Sequence, residues 1–163
     1  MMRNVIILLI VLITSMTSIC CEKGQTESDF VPVTVFDPDR DAERDIKLAV
    51  KEANRTGRFI LLEVGGDWCT WCRKFDDFFE EHAEITDYLH KNFILVKINF
   101  SPDNRNKDIL ETYPAIIRYP HLFILNTSGN LIHSQSTAEF EEGKIFHRDK
   151  VLNFLQKWKL NTN

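Results

Sequence analysis

Phe59-Ile60-Leu61-Leu62-Glu63-Val64 runs directly into Gly65-Gly66-Asp67-Trp68-Cys69-Thr70-Trp71-Cys72-Arg73-Lys74-Phe75. The first six residues are apolar except for Glu63, which predicts a strand buried on both faces. Gly65-Gly66 punctuates that strand. Beyond Cys69, apolar Phe75, Phe78, Phe79, Ile85 and Leu89 predict a helix running through Leu89. A C-x-x-C pair therefore falls at a strand-to-helix junction. Free N–H groups and the macrodipole at a helix N-terminus favour an anion, so the Cys69 thiol is expected to ionise below the free-cysteine pKa of about 8.5. Cys72, one turn further on, is placed to attack a mixed disulfide formed at Cys69 and release the product. Arg73 and Lys74 add positive charge nearby, and Asp67, Asp76 and Asp77 oppose it.

Working outward, Val33–Phe36 reads as a short strand. Asp37-Pro38 reads as a helix start, with an acid as cap and Pro at the first helical position. Ala42, Ile46, Ala49, Val50 and Ala53 form one helical face, which Gly57 terminates. Phe93–Phe100 alternates as a second strand, and Asp103–Glu111 reads as a short helix after Pro102. His121–Asn126 and Leu131–Ser134 form a hairpin about Asn126-Thr127-Ser128-Gly129-Asn130. Val151, Leu152, Leu155 and Trp158 line a last helix. The stretch Glu139–Arg148 takes no assignment from its pattern. This order predicts an α/β fold with a mixed sheet and no internal repeat.

The composition supports one ordinary domain: 44% of the 163 residues are hydrophobic and 27% charged, and twelve Phe suggest an aromatic core. With a formal net charge of -4 and a pI near 5.7, the chain lacks the basic footprint of a nucleic-acid binder. A zinc ribbon would need a second C-x-x-C or a paired His motif, and the other two cysteines are Cys20 and Cys21. No metal is expected, and His82, His90, His133 and His147, which lack paired metal spacing, are expected on the surface. Haem attachment would need His after the second cysteine, where Arg73 stands. A bridge closing so short a loop removes little chain entropy, so a purely structural disulfide is a poor staple.

Arg3 followed by the apolar run Val5–Ile13 and then Thr14-Ser15-Met16-Thr17-Ser18 reads as a secretory signal over residues 1–20. Cys20 and Cys21 stand where a bacterial lipoprotein signal presents its lipidated cysteine, although Ile19 is bulkier than the usual residue there. Residues 21–34 read as a polar tether and 35–163 as the folded domain, exported and expected to act as a monomer.

The quoted run resembles the active-site segment of the thioredoxin superfamily. More narrowly it resembles secreted bacterial thioredoxin-like proteins and the C-terminal periplasmic domain of the transmembrane thiol-disulfide reductase. The likeness spans about Asp37 to Trp158. It implies a thioredoxin fold, a central mixed β-sheet flanked by helices on both faces. It also implies a Cys69–Cys72 redox disulfide as the sole cofactor, with Trp68 packed beside the reactive sulfur. Glu63 is then a buried acid with a raised pKa that exchanges a proton with Cys72, and Lys97 is either its neighbour or solvent-facing. Tyr119-Pro120 matches the family's cis-proline, whose preceding backbone pairs with an extended substrate strand; His121 stands where Thr is common. The spacer Thr70-Trp71 lacks the Gly-Pro of cytosolic thioredoxins, and Trp71 either covers Cys72 or contacts substrate. The implied activity is thiol-disulfide exchange on exported proteins bearing disulfides or thiols, with reduction or isomerisation favoured. Electrons would come from a membrane reductase. The competing reading is a thioredoxin-fold polypeptide-binding module with an inert C-x-x-C bridge.

Overall fold

Helix α1 (Ala42–Thr56) leads into strand β1 (Phe59–Gly65), followed by helices α2 (Thr70–Glu81) and α3 (Ala83–Asn92) and strand β2 (Phe93–Asn99). A short helix α4 (Lys107–Leu110) precedes strands β3 (His121–Leu125) and β4 (Leu131–Ser136). A 3-10 turn (Thr137–Phe140), two-residue strands β5 (Glu141–Glu142) and β6 (Ile145–Phe146) and helix α5 (Arg148–Trp158) complete the order. The computed structural model describes residues 30–159; Cys20, Cys21 and the leader lie outside them.

The main sheet has the order β2-β1-β3-β4, with β1 parallel to β2 and antiparallel to β3. This is the thioredoxin fold, a mixed sheet between helical layers. Because side chains alternate along a strand, Ile60, Leu62 and Val64 pack with Ala49 and Ala53 of α1, whereas Leu61 packs with α2, α3 and α5. Glu63 and Gly65 share the face of Leu61. The register sets Glu63 opposite Lys97 on one side and Leu122 on the other. On the α2 side the core is aromatic: the buried Phe75 ring meets those of Phe78, Phe79, Phe140 and Phe146.

Several boundaries depart from the sequence reading. α1 starts at Ala42, not after Asp37, because Asp41 is the acid whose side chain accepts the Arg44 N–H, at 3.0 Å. Arg40 folds back onto the buried Asp45 and closes the preceding turn. The expected single helix to Leu89 breaks at His82 (ψ 69°) into α2 and α3. There the Thr86 hydroxyl and the His82 N–H donate to the Phe79 and Phe78 carbonyls, satisfying the end of α2. The periodicity hides this break because both helices bury apolar faces in one core.

Of Val33–Phe36, only Val33 pairs, with Val96. The helix expected over Asp103–Glu111 shrinks to α4, because Asn104 and Asn106 donate to the carbonyls of Pro38 and Asn99 and hold a loop instead. The unassigned stretch holds the β5-β6 hairpin, whose Phe146 is buried against α2. Of the histidines expected on the surface, only His90 is fully so; the flat rings of His82 and His133 stack on Phe78 and Trp158, each at 4.4 Å, and His147 is half-buried. Among the described residues, no helix is long and apolar enough to cross a membrane.

Phe75→Ala, which empties the centre of the aromatic cluster, should destabilise the protein by about 3–5 kcal/mol. Urea titration should show a lower midpoint at unchanged slope.

Candidate functional site

Cys69 is the N-cap of α2, and its sulfur is bonded to that of Cys72. Both are buried, at 5% and 1% exposure. The Cys69 sulfur accepts the Cys72 backbone N–H at 3.1 Å. An anion on Cys69 would receive that same N–H together with the positive end of the helix dipole. Gly65 lets β1 approach: a Cβ there would lie 2.5 Å from the Cys72 sulfur and 3.0 Å from the Phe36 ring. Phe36 packs with both cysteines. The disulfide is thus held between α2, β1 and an aromatic ring.

Glu63 lies two residues before Gly65 on the same face of β1, with 2% of its surface exposed. Lys97 on β2 places its Nζ 3.9 Å from one Glu63 oxygen, over the Phe36 ring and hydrogen-bonded to Asp76 of α2. The other Glu63 oxygen has no hydrogen-bond partner. Burial pushes the Glu63 carboxyl up to about 7; Lys97 works against that rise and Asp76 adds to it. At neutral pH this group can both take and return a proton.

The two flanks of the disulfide are built differently. On one, Trp68 is 52% exposed, donates from Nε1 to the Phe100 carbonyl at 2.6 Å, and meets Tyr119 edge-on at 5.5 Å. Tyr119 stacks on Phe100 and precedes Pro120 through a cis bond. On the other flank, Trp71 is half-buried, edge-on to Phe146 at 5.4 Å, with the Lys74 ammonium 4.4 Å above its ring. Lys74 also donates to the Lys144 carbonyl in the β5-β6 turn at 2.9 Å.

Cys69, Cys72, Trp71 and Tyr119 converge in one cluster with Phe36, and Trp68 joins through Tyr119. Lys97 is buried next to Glu63, not in solvent. Thr70 is exposed and accepts from Arg73, whose guanidinium also donates to the Asp67 carbonyl. The sequence reading treated Asp76 as one opposing charge among three. Its position, four residues after Cys72 and so on the same helix face, is the signal that it belongs to the site. Nothing in the sequence pattern points to Phe36 or Phe100. Among the described residues, no group of His, Cys, Asp and Glu is arranged to hold a metal.

A family model described as thioredoxin-like matches residues 41–127. The thiol:disulfide interchange protein DsbD of Colwellia psychrerythraea is 24% identical over 99 residues; the match covers 60% of this chain but only 16% of that relative. The disulphide isomerase of Xylella fastidiosa superposes with a TM-score of 0.66 at 25% identity, covering 78% of this chain and 97% of that one. The DsbD C-terminal domain of Neisseria meningitidis, in its oxidised form, shares the fold: its TM-score is 0.55 at 14% identity, covering 76% of this chain and 97% of the domain.

The folded chain keeps a proton on Glu63 to about pH 7, while an unfolded chain releases it near 4.5. Stability should therefore fall as pH rises from about 4.5 through about 7. Glu63→Gln should abolish that decline, the two proteins diverging by something of order 3 kcal/mol across the window in denaturation series at pH 4 to 8. Gly65→Ala should push against the Cys72 sulfur and make the disulfide easier to reduce, read as a higher reduction potential in glutathione buffers.

Proposed function

The chain belongs to the thioredoxin-like family, and we propose that it is a thiol-disulfide oxidoreductase acting on the disulfides of exported proteins, in the reducing or isomerising direction. The observation that carries this reading is the buried Glu63 carboxyl, poised near neutrality, on the strand that backs the disulfide. A staple needs no titratable group behind it, and enclosing one costs stability. Exchange needs a group that takes the proton of Cys72.

In the reduced protein the Cys69 thiolate attacks one sulfur of a substrate disulfide. A mixed disulfide forms, and the other substrate sulfur leaves as a thiolate and is protonated by solvent. Cys72 passes its proton to the Glu63 carboxylate and attacks the Cys69 sulfur. The intramolecular disulfide closes, the second substrate sulfur is released, and two electrons have passed to substrate. Lys97 and Asp76 hold the charge balance around Glu63, and Arg73 with Thr70 shapes the start of α2. Trp68, Trp71, Tyr119 and Pro120 form the surface on which a substrate strand lies. Regeneration takes two electrons from a dithiol donor, for which a membrane thiol-disulfide reductase is the fitting class. In isomerisation the substrate's own second thiol resolves the mixed disulfide, and no electrons are consumed.

The names borne by two similar proteins, a thiol:disulfide interchange protein and a disulphide isomerase, support thiol-disulfide exchange, and the second supports isomerisation. The apolar leader over residues 1–20 supports export to the periplasm or cell envelope. A lipid on Cys20 or Cys21, ahead of a tether over residues 21–34, would anchor the domain of residues 35–163 to the membrane.

Cys72→Ala should leave mixed disulfides stranded on Cys69, seen after acid quench and thiol blocking as adducts that reductant releases. Removing both cysteines should abolish them. Equal retention of the same partners without either cysteine would instead make the protein a polypeptide-binding module. Equilibration with glutathione should place the potential below roughly -200 mV, the poise of an oxidising compartment.

A further inference from the structure

Phe36 comes from the segment ahead of α1, yet its ring is 5% exposed and packs with both cysteines. Gly65 makes room for it: a Cβ there would lie 2.5 Å from the Cys72 sulfur and 3.0 Å from the ring. The cover that β1 leaves open beside Cys72 is thus supplied by Phe36. Over the face of that ring lies the Lys97 ammonium, 4.7 Å from the centroid. A cation is drawn to a ring face most strongly where water is excluded.

The stretch that delivers the ring is fixed on both sides. Before it, Val33 is buried, pairs in parallel with Val96 on β2, and accepts the Lys97 backbone N–H on its carbonyl at 3.0 Å. Beyond it, the Asn104 amide donates to the Pro38 and Arg40 carbonyls at 2.8 and 3.2 Å. Lys97 is therefore held twice from this stretch, at its main chain by Val33 and at its ammonium by Phe36. The charged and titratable groups about Glu63 are Lys97 on β2 and, on α2, Asp76 and Cys72, the latter against Gly65 two residues along the same face. Its β3 neighbour Leu122 and the Phe36 ring carry no charge. With one oxygen unpartnered, the carboxyl owes its proton affinity to the exclusion of water.

We propose that Phe36 is a positioning residue for the resolving step: its ring, strapped across the disulfide by residues 33–38, seals Cys72 and Glu63 from water, so that the Cys72 proton passes to Glu63. Without the ring, water reaches the carboxylate, stabilises its ionised form and makes it a poor proton acceptor. The inference rests on the oxidoreductase reading and adds a residue to its mechanism.

Pre-reduced protein is mixed with an equimolar amount of the symmetrical thionitrobenzoate disulfide, and colour is followed in time at several pH values. Attack of the Cys69 thiolate breaks the reagent's S–S bond, releasing one coloured thionitrobenzoate and leaving the other on Cys69. Cys72 then gives its proton to Glu63 and bonds to the Cys69 sulfur, expelling the second thionitrobenzoate in a phase independent of reagent concentration. In the wild type that second phase should quicken with an inflection near pH 7, which Glu63→Gln should lack. Phe36→Ala should lose the inflection too, and at pH 7 should slow the second phase about tenfold relative to the first. Phe36→Leu, which keeps an apolar cover, should restore both features, and Phe36→Val should fall between. An unmoved inflection in Phe36→Ala, or in Phe36→Val should the alanine variant not fold, would overturn the proposal and leave the ring a packing residue, with exchange intact. A Phe36→Leu profile matching that of the smaller variants, or a wild-type second phase without the inflection, would overturn it as well. Absence of any second phase in the wild type would overturn the oxidoreductase reading and the proposal with it.

Discussion

The Glu63 carboxyl is enclosed in β1 with Lys97 3.9 Å from one oxygen and nothing bonded to the other. A cation devoted to that group would hold it ionised. Lys97 is instead shared, its ammonium hydrogen-bonded to Asp76 on α2 and lying over the Phe36 ring. Burial therefore outweighs attraction, and the carboxyl titrates about where a thiol exchange needs a proton acceptor. The same ammonium ties the active-site helix to the sheet. One residue thus links the position of α2, which carries both cysteines, to the protonation of the acid behind them.

That arrangement has a cost measured against a total stability that for most domains is only about 5–15 kcal/mol. The fold offsets it close by. Phe75 is on the helix turn next to Asp76, and its ring is surrounded by those of Phe78, Phe79, Phe140 and Phe146. Large aromatic burial on α2 secures the helix from its apolar side while its polar side serves the ion cluster. The demand for so many Phe is concentrated here, on the layer that carries the chemistry. The α1 layer manages with small residues: Ala49 and Ala53, both fully buried, lie against Ile60 and Leu62.

Local signals carried much of this into the sequence. A C-x-x-C pair between an apolar run and a helical pattern is visible within seventeen residues, and Glu63 stands out as the one charge in its run. What stayed hidden depends on partners distant along the chain. Asp76 gains its meaning only when β2 brings Lys97 beneath α2, twenty-one residues later in sequence. The break at His82 leaves no trace in periodicity, since Phe78 before it and Ile85 after it face the same core. The β5 and β6 strands are two residues each, too short for any alternation to register. The basic pair after the dithiol could not be signed from sequence because Arg73 turns back to the Asp67 carbonyl while Lys74 turns to the Lys144 carbonyl.

The surface around the disulfide divides into unequal halves. Lys74 joins Trp71 to the β5-β6 hairpin, whose Phe146 fixes the other edge of the same indole. A ring held by a cation above and an aromatic at its edge has little freedom, so the Cys72 side is a fixed wall. Trp68, by contrast, is held through one hydrogen bond to the Phe100 carbonyl and an edge contact to Tyr119, with half its surface open. A strand approaching the disulfide would meet rigid cover over Cys72 and accessible aromatic surface beside Cys69. In the proposed exchange, this asymmetry would direct a substrate sulfur to Cys69 first and leave Cys72 to react from within.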